Sequence, residues 1–309
     1  MVLQSDRPEP PLAGLDVLCV GHASYDHVFS VPHHPAPDEK LFADALIGCG
    51  GGPAANAAVI VARLGLRAGF SGYLGRDIHG QLHMAELEAE GVDTRSVVRG
   101  AAPTPVSVVL VKPDGARALV SYKGETGLLP RGAVDFAGLN AEVLLFDGHE
   151  PELALDLIER PQPKVLDAGS LHAGTEALMF RVDYLVSSEK FARQWLGEDH
   201  PERALAQLAE RVPAVVITLG ERGLIWRRSG ESGHLPAYPV RALDTTGAGD
   251  AFHGAFAAAL AQGMAWPAVL RYASAAGAAC CEVLGARAGL ADRHRLVRWL
   301  DDDASTAGV

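Results

Sequence analysis

The chain has 309 residues, 48% of them apolar and 21% charged, with a formal net charge of −11. That length allows one large α/β domain or two modest ones, with a core large enough to need no disulfide staples. The acidic balance favours neither nucleic acid nor an anionic membrane as partner, so a phosphate-rich ligand would need local devices: backbone N–H nests, single basic residues and a metal ion.

Residues 1–11 are polar and Pro-rich and read as a frayed tail, with no signal peptide evident. Leu15–Val20 (LDVLCV), ending at Gly21, is expected to be a buried first strand. Residues 28–31 can extend into an exposed strand before Pro32, Pro35 and Pro37, and a second exposed segment at 40–47 leads into a glycine cluster. The run AANAAVIVARL at 54–64 predicts a helix stopped by Gly65; residues 68–74 predict a strand, and 80–90 an amphipathic helix closed by Gly91. Two strands are expected within 104–122, around the hairpin turn Lys112-Pro113-Asp114-Gly115. Further strands are expected at 143–146, 164–166, 184–187 and 214–219, with helices between most of them.

This alternation predicts a parallel sheet covered on both faces. Residues 25–46 and 104–124 break it and could pair into a small separate sheet. No composition shift marks a second domain, so residues 12–300 read as one. The acidic, small-residue tail at 301–309 reads as flexible. No apolar stretch approaches the ~20 residues of a spanning helix.

The four cysteines, Cys19, Cys49, Cys280 and Cys281, form neither a C-x-x-C pair nor a disulfide framework, and read as reduced thiols in a cytoplasmic protein. The 12 histidines show no metal-ligand spacing. His33 and His34 sit among prolines as a surface loop. His253 is expected to pack within a helix. His149, in FDGHEPE, follows a strand, where it either faces a ligand or stays in the loop. Lys123 and Glu125 read as solvated charges or as ligand contacts. Arg76 and Asp77 could form a structural ion pair.

The most informative stretch is DTTGAGDAFHGAFAAAL at 244–260. Gly247 and Gly249 flank Ala248 and permit backbone geometry that other residues resist. Successive N–H groups can then face one point, and the helix that follows adds its free N–H groups and positive dipole end. Charge on a transferring phosphoryl group would be stabilised there. Asp250 reads either as a base for an attacking hydroxyl or as the N-cap of that helix.

A second cluster, GCGGGPAANA at 48–57, is neither a Walker A loop nor a dinucleotide fingerprint. It can bring backbone close to a small polar ligand, with Asn56 offering an amide. A third piece, ITLGERG at 217–223, ends an apolar strand, where open α/β sheets bind ligands; Thr218 and Gly220 either touch a nucleotide phosphate or form a plain turn.

Together these pieces resemble the PfkB, or ribokinase-like, carbohydrate kinase family. GGGPAANAA, then ARLG and GYLGRDIHG, look like its amino-terminal motif, and DTTGAGDAFHGAFAAALAQG looks like its carboxy-terminal motif, in the same order and spacing. The resemblance runs from about Asp16 to Trp299. It implies an α/β fold with a central, mostly parallel sheet and a small β lid over a sugar, and subunits that clasp as homodimers through the lid. It implies ATP with Mg²⁺, and K⁺ as a further cation. By the same resemblance Asp250 is the base, and Gly247, Ala248 and Gly249 form an anion hole. Asp26 grips sugar hydroxyls, with Gly51, Gly52 and Asn56 on the sugar side. Thr218, Gly220, Gly223 and Ser187 lie on the nucleotide side. Asp244 and Thr246 stand beside the monovalent cation, and Glu189 in the outer shell of the Mg²⁺.

The chain departs from ribokinases in carrying Pro53 where they have Lys, and Ser24 where they have Asn. The family's Asn-x-x-Glu is replaced by Ser187-Ser188-Glu189-Lys190. The nearest likeness is to ketohexokinases and sulfofructose kinases, yet Ser121 and His149 stand where a sulfonate would be gripped, while Lys40 is kept. These residues point to a ketose or a derivative as acceptor. A nucleoside kinase would need a larger aromatic lid pocket than Phe29, Phe42 and Tyr122 offer. A catalytically silent sugar-binding regulator would lack turnover.

Overall fold

A computed structural model describes residues 14–306; the expected tail at 1–11 lies outside the described residues. The chain opens with β1 (Leu15–Val20), β2 (Ser24–Ser30), β3 (Ala45–Gly51), α1 (Pro53–Arg63), β4 (Ala68–Gly75) and α2 (Ile78–Ala89). Next come β5 (Val97–Gly100), β6 (Val106–Val111), β7 (Arg117–Tyr122), β8 (Ala141–Phe146), α3 (Pro151–Leu157), β9 (Lys164–Ala168) and α4 (Ala173–Leu178). The second half holds β10 (Tyr184–Ser188), α5 (Glu189–Leu196), α6 (Pro201–Leu208), β11 (Ala214–Thr218), β12 (Leu224–Arg228) and β13 (Glu231–Leu235). It closes with α7 (Ala248–Ala261), α8 (Trp266–Cys280), α9 (Ala286–Gly289) and α10 (Arg293–Thr306).

The large sheet has nine strands in the order β13-β12-β11-β10-β9-β8-β1-β4-β5. Its pairs are parallel from β11 through to β5 and antiparallel only at β11–β12 and β12–β13. Because successive strand residues point to opposite faces, the apolar runs feed two cores. Val17, Cys19, Val143, Leu145, Val165, Val186 and Val216 face α1, α7 and α8. Leu18, Val20, Leu144, Phe146, Leu166, Leu185, Val215 and Ile217 face the helices from α3 to α6. This explains why the strands read as continuous apolar runs.

The small sheet is β3-β2-β6-β7, parallel only between β2 and β6. One face buries Val28, Cys49, Val109 and Val111. The other leaves Leu46, Val108, Val120 and Tyr122 exposed. Two expectations shift here. The glycine cluster is not a loop before a helix: Gly48, Gly50 and Gly51 belong to β3, and only Gly52 caps α1. The carboxy-terminal segment, expected to be flexible from 301, is helical to Thr306.

β5, β12 and β13 have no counterpart in the sequence reading. They are four- or five-residue strands at or near the sheet edges, with no buried apolar run of their own in β5 and β13. The four cysteines are free and buried. Among the described residues no helix is long and apolar enough to cross a membrane.

Candidate active site

α7 packs against β1, β8 and β9 of the large sheet, and α1 packs against both α7 and β3 of the small sheet. At α7 the residue before the helix is Gly247, with φ 80°, where a side chain is strained and a Cβ would also press on Ala286. Gly247 is therefore the N-cap, and Asp250 lies inside the first turn, which removes the capping alternative. The N–H groups of Gly249 and Asp250 find no acceptor among the described residues. A helix start of this kind can receive an anion.

Asp250 is half-buried, and its Oδ2 accepts a hydrogen bond of 2.7 Å from Asn56 Nδ2. Asn56 stands in the first turn of α1, so the two motifs meet here although 194 residues separate them. Asn56 Oδ1 is buried without a partner among the described residues, leaving an acceptor for a hydroxyl.

Asp26 sits across from this pair on β2. It is 6% exposed, and Ser24 Oγ donates to it at 2.8 Å. Burial pushes its carboxyl above the ordinary range; Ser24 and Ser107 hydroxyls pull it back, the charge of Asp250 raises it and the Arg287 guanidinium lowers it. β3 runs so close that a Cβ on Gly51 would collide with the Asp26 carboxylate, so glycine is required there. Ser121 joins the group indirectly: its hydroxyl is 3.1 Å from that of Ser107, and Ser107 is registered against Asp26. Lys40 stays exposed, with its ammonium 5.6 Å from the Phe42 ring centre.

His149 follows β8 and stacks on His172 at 4.7 Å, and His22 lies 5.2 Å from His149. Burial drives the His22 imidazole down to about 3, with His149 adding to the effect. The rings of His22, His149 and His172 thus lie side by side.

Farther along the large sheet, Thr218 ends β11, and its hydroxyl donates to Ser187 O at 3.3 Å. Ser187 is fully buried and donates to Val216 O at 3.4 Å, so its hydroxyl is spent on the sheet. Gly220 and Gly223 bound the following turn. Glu189 opens α5 and pairs with Arg222 of that turn. Asp244 is fully buried: Thr246 N and Oγ1 donate to its Oδ1 at 2.8 and 2.6 Å, and Gly285 N to its Oδ2 at 2.7 Å. It staples the loop before α7 to the one before α9. Among the described residues no group of three His, Cys, Asp or Glu is placed to hold a metal.

A model of the pfkB family of carbohydrate kinases matches residues 15–148 and 163–293. The chain belongs to that family. Ribokinase from Haemophilus influenzae is 27% identical over 91% of this chain and 97% of its own length. Among solved structures, ribokinase from Thermotoga maritima superposes with a TM-score of 0.82 at 28% identity, covering 93% of this chain and 99% of that one. Arabidopsis thaliana ribokinase, complexed with ribose and ATP, gives 0.81 at 27%, covering 93% and 99%. None of these three is a ketohexokinase or a sulfofructose kinase, so that narrower likeness rests on the motifs alone.

Three features of this pfkB kinase's site escape the sequence reading. Asp147, just past β8, accepts from His22 N, Ala54 N and His149 N at 2.8, 3.1 and 2.8 Å, tying β1, α1 and β8 together. An acid directly after a buried strand was the available signal. Arg287 is 6% exposed, with Nε and Nη1 unpartnered among the described residues and Nη2 3.1 Å from His83 Nε2. Asp77 was expected to pair with Arg76; instead it caps α2 through Gly80 N and holds Thr104 N and Oγ1.

Proposed function

We propose that this kinase transfers the γ-phosphoryl group of ATP to a terminal hydroxyl of a small sugar, a ketose or ketose derivative, with Asp250 as base. The observation that carries the reading is the Asn56–Asp250 hydrogen bond beside N–H groups that lack acceptors, with Asp26 facing them. Asp26 and Asn56 hold hydroxyls of the sugar. Asp250 takes the proton of the attacking hydroxyl, its oxygen bonds to the γ-phosphorus, and the bond from that phosphorus to the β-phosphate oxygen breaks, releasing ADP. The turn Gly247-Ala248-Gly249, with the N–H groups of Gly249 and Asp250 that lack acceptors among the described residues, stabilises the charge that spreads over the phosphoryl oxygens. Orientation supplies much of the rate, since the protein forms no bond to the substrate.

The turn from Thr218 to Gly223 holds the nucleotide. Magnesium, when it arrives with ATP, supplies charge neutralisation between the phosphates. Glu189, which opens α5 and pairs with Arg222, would stand in the outer shell of that ion. Asp244 and Thr246 are bonded to each other, so beside a potassium ion they would shape the loop rather than offer unshared oxygens. Ribose is the competing acceptor, given the relatives' names. Pro53 in place of an ammonium and the commitment of Ser24 to Asp26 support a different sugar. The exposed apolar face of the small sheet supports a homodimer clasped through the lid. Four buried thiols fit a cytoplasmic setting.

The base assignment is tested with Asp250→Asn. It should keep ATP affinity and lose at least ~10²-fold in kcat, the loss expected for a general base. Turnover close to that of the unmodified enzyme would remove Asp250 from the role.

A further inference from the structure

One turn after Asp250, α7 carries His253, which is 4% exposed. Its Nδ1 lies 2.6 Å from Gly249 O and 3.2 Å from Asp167 Oδ2; its Nε2 lies 3.1 Å from Val186 O. Carbonyl oxygens only accept hydrogen bonds, so both ring nitrogens must donate, and only the imidazolium has two N–H donors. The counter-charge is Asp167, near the end of β9 and 6% exposed. A buried charge of this kind is tolerated only when paired and hydrogen-bonded, and both conditions are met.

The contact to Gly249 has a direct consequence. The C=O of Gly249 and the N–H of Asp250 belong to one planar trans peptide, so they point in opposite directions. Anchoring the carbonyl to His253 sets the direction of the Asp250 N–H, which has no acceptor among the described residues. A charge-assisted bond to that carbonyl also polarises the N–H. We infer that His253 and Asp167 form a buried imidazolium–carboxylate pair that positions the first turn of α7 and lends positive charge behind the phosphoryl site. The inference rests on Gly247–Gly249 being the anion hole and Asp250 the base.

The groups facing the pair are Asp250 on α7 itself and Asp147 from the end of β8. Burial pushes the Asp167 carboxyl up to about 7, His253 pulls it down, and Asp250 and Asp147 push it up. Among the side chains acting on Asp167, His253 is the one that favours its ionised form. His253 is a positioning residue, since it reaches the substrate only through the Gly249–Asp250 peptide.

The test has two readouts. Nitrogen-15 and proton NMR of the histidine rings at pH 8 should show protons on both nitrogens of the His253 ring; one proton would overturn the pair. In parallel, His253→Asn should lower kcat on the order of 10- to 100-fold, as small misplacements at a reacting centre do. KM for sugar and for ATP should stay within about threefold, and the fall in kcat should remain after it is referred to the folded fraction measured by circular dichroism, because a smaller folded fraction alone also lowers apparent kcat at constant KM. A folded His253→Asn enzyme with kcat within about threefold of the original would also overturn it. Should that variant fail to fold, the ring protonation of the unmodified protein decides. Asp250→Asn in the same assay separates the two levels. An active Asp250→Asn enzyme defeats the base assignment. An inactive one beside an unimpaired His253→Asn defeats only the pair.

Discussion

The two ends of the site are built differently. The proposed phosphate end stands on the large sheet and on α7, whose residues from Ala251 to Ala259 are all buried. Its donors are backbone N–H groups fixed by Gly247, Asp244 and Thr246. The proposed sugar end is formed by side chains on a four-stranded sheet with one solvated face: Asp26, Ser24, Ser107 and Ser121. Backbone donors held by a core suit a group that every substrate shares, and side chains on a lid suit one that differs between substrates. Substitutions at the two ends should therefore fail in different ways.

The largest effect belongs to the phosphate end. Gly247→Ala places a Cβ at φ 80° and against Ala286, which tilts the first turn of α7. kcat should fall by roughly 10²-fold or more with every acceptor tested, the scale of a lost oxyanion donor. A loss confined to one sugar would show that the two ends are not separate.

Asp26→Asn should act on the sugar instead. It keeps the shape but weakens the charged acceptor, so KM for the sugar should rise about tenfold while KM for ATP stays level. Steady-state kinetics with each substrate varied in turn reads this out. Equal changes in both constants would break the comparison.

The lid carries a third expectation. Val120→Lys places a charge on the face that exposes Leu46, Val108 and Tyr122. Sedimentation should show a dimer for the original chain and a monomer for the variant. A monomer in both cases would leave that face without the proposed occupant.

The smallest effect is on stability. Burial pushes the Glu150 carboxyl from its usual 4.5 up to about 7, with the Leu129 amide opposing and Asp147 reinforcing the shift. The folded chain thus holds this proton more tightly than the unfolded chain does. The stabilisation is complete below about 4.5 and is lost as pH rises toward 7. Glu150→Gln keeps an acceptor for Leu129 N but has no proton to lose. Its Tm relative to the original should improve between pH 4 and pH 8 by a few degrees, roughly 2 °C. Thermal scans at both pH values check the sign.

What could be read from the residues follows the same division. β1, α1, β4 and α7 are long buried elements, and their apolar runs and glycine punctuation announce them. The role of Asn56 was signalled by the motif, though not its bond to Asp250, which depends on how α1 packs against α7. Asp167 and Ser107 carry no local signal, because each gains its meaning from strands brought together by the fold. His253 read as a packing residue since its spacing within α7 says nothing of the carbonyls at its two nitrogens. β12 and β13 were hidden by their charged residues, which an edge strand carries to resist pairing with another chain. The glycines at 48–51 read as a loop because glycine weakens strands; in β3 they make room for Asp26, His83 and Glu86 instead.

The account stands most directly on a single measurement: ADP release by the unmodified enzyme with ATP and Mg²⁺ across ketoses, aldoses, sulfo-sugars and nucleosides. It predicts turnover that depends on the acceptor, with the highest kcat/KM for a ketose or ketose derivative. Tight sugar binding with no acceptor-dependent ADP would contradict it.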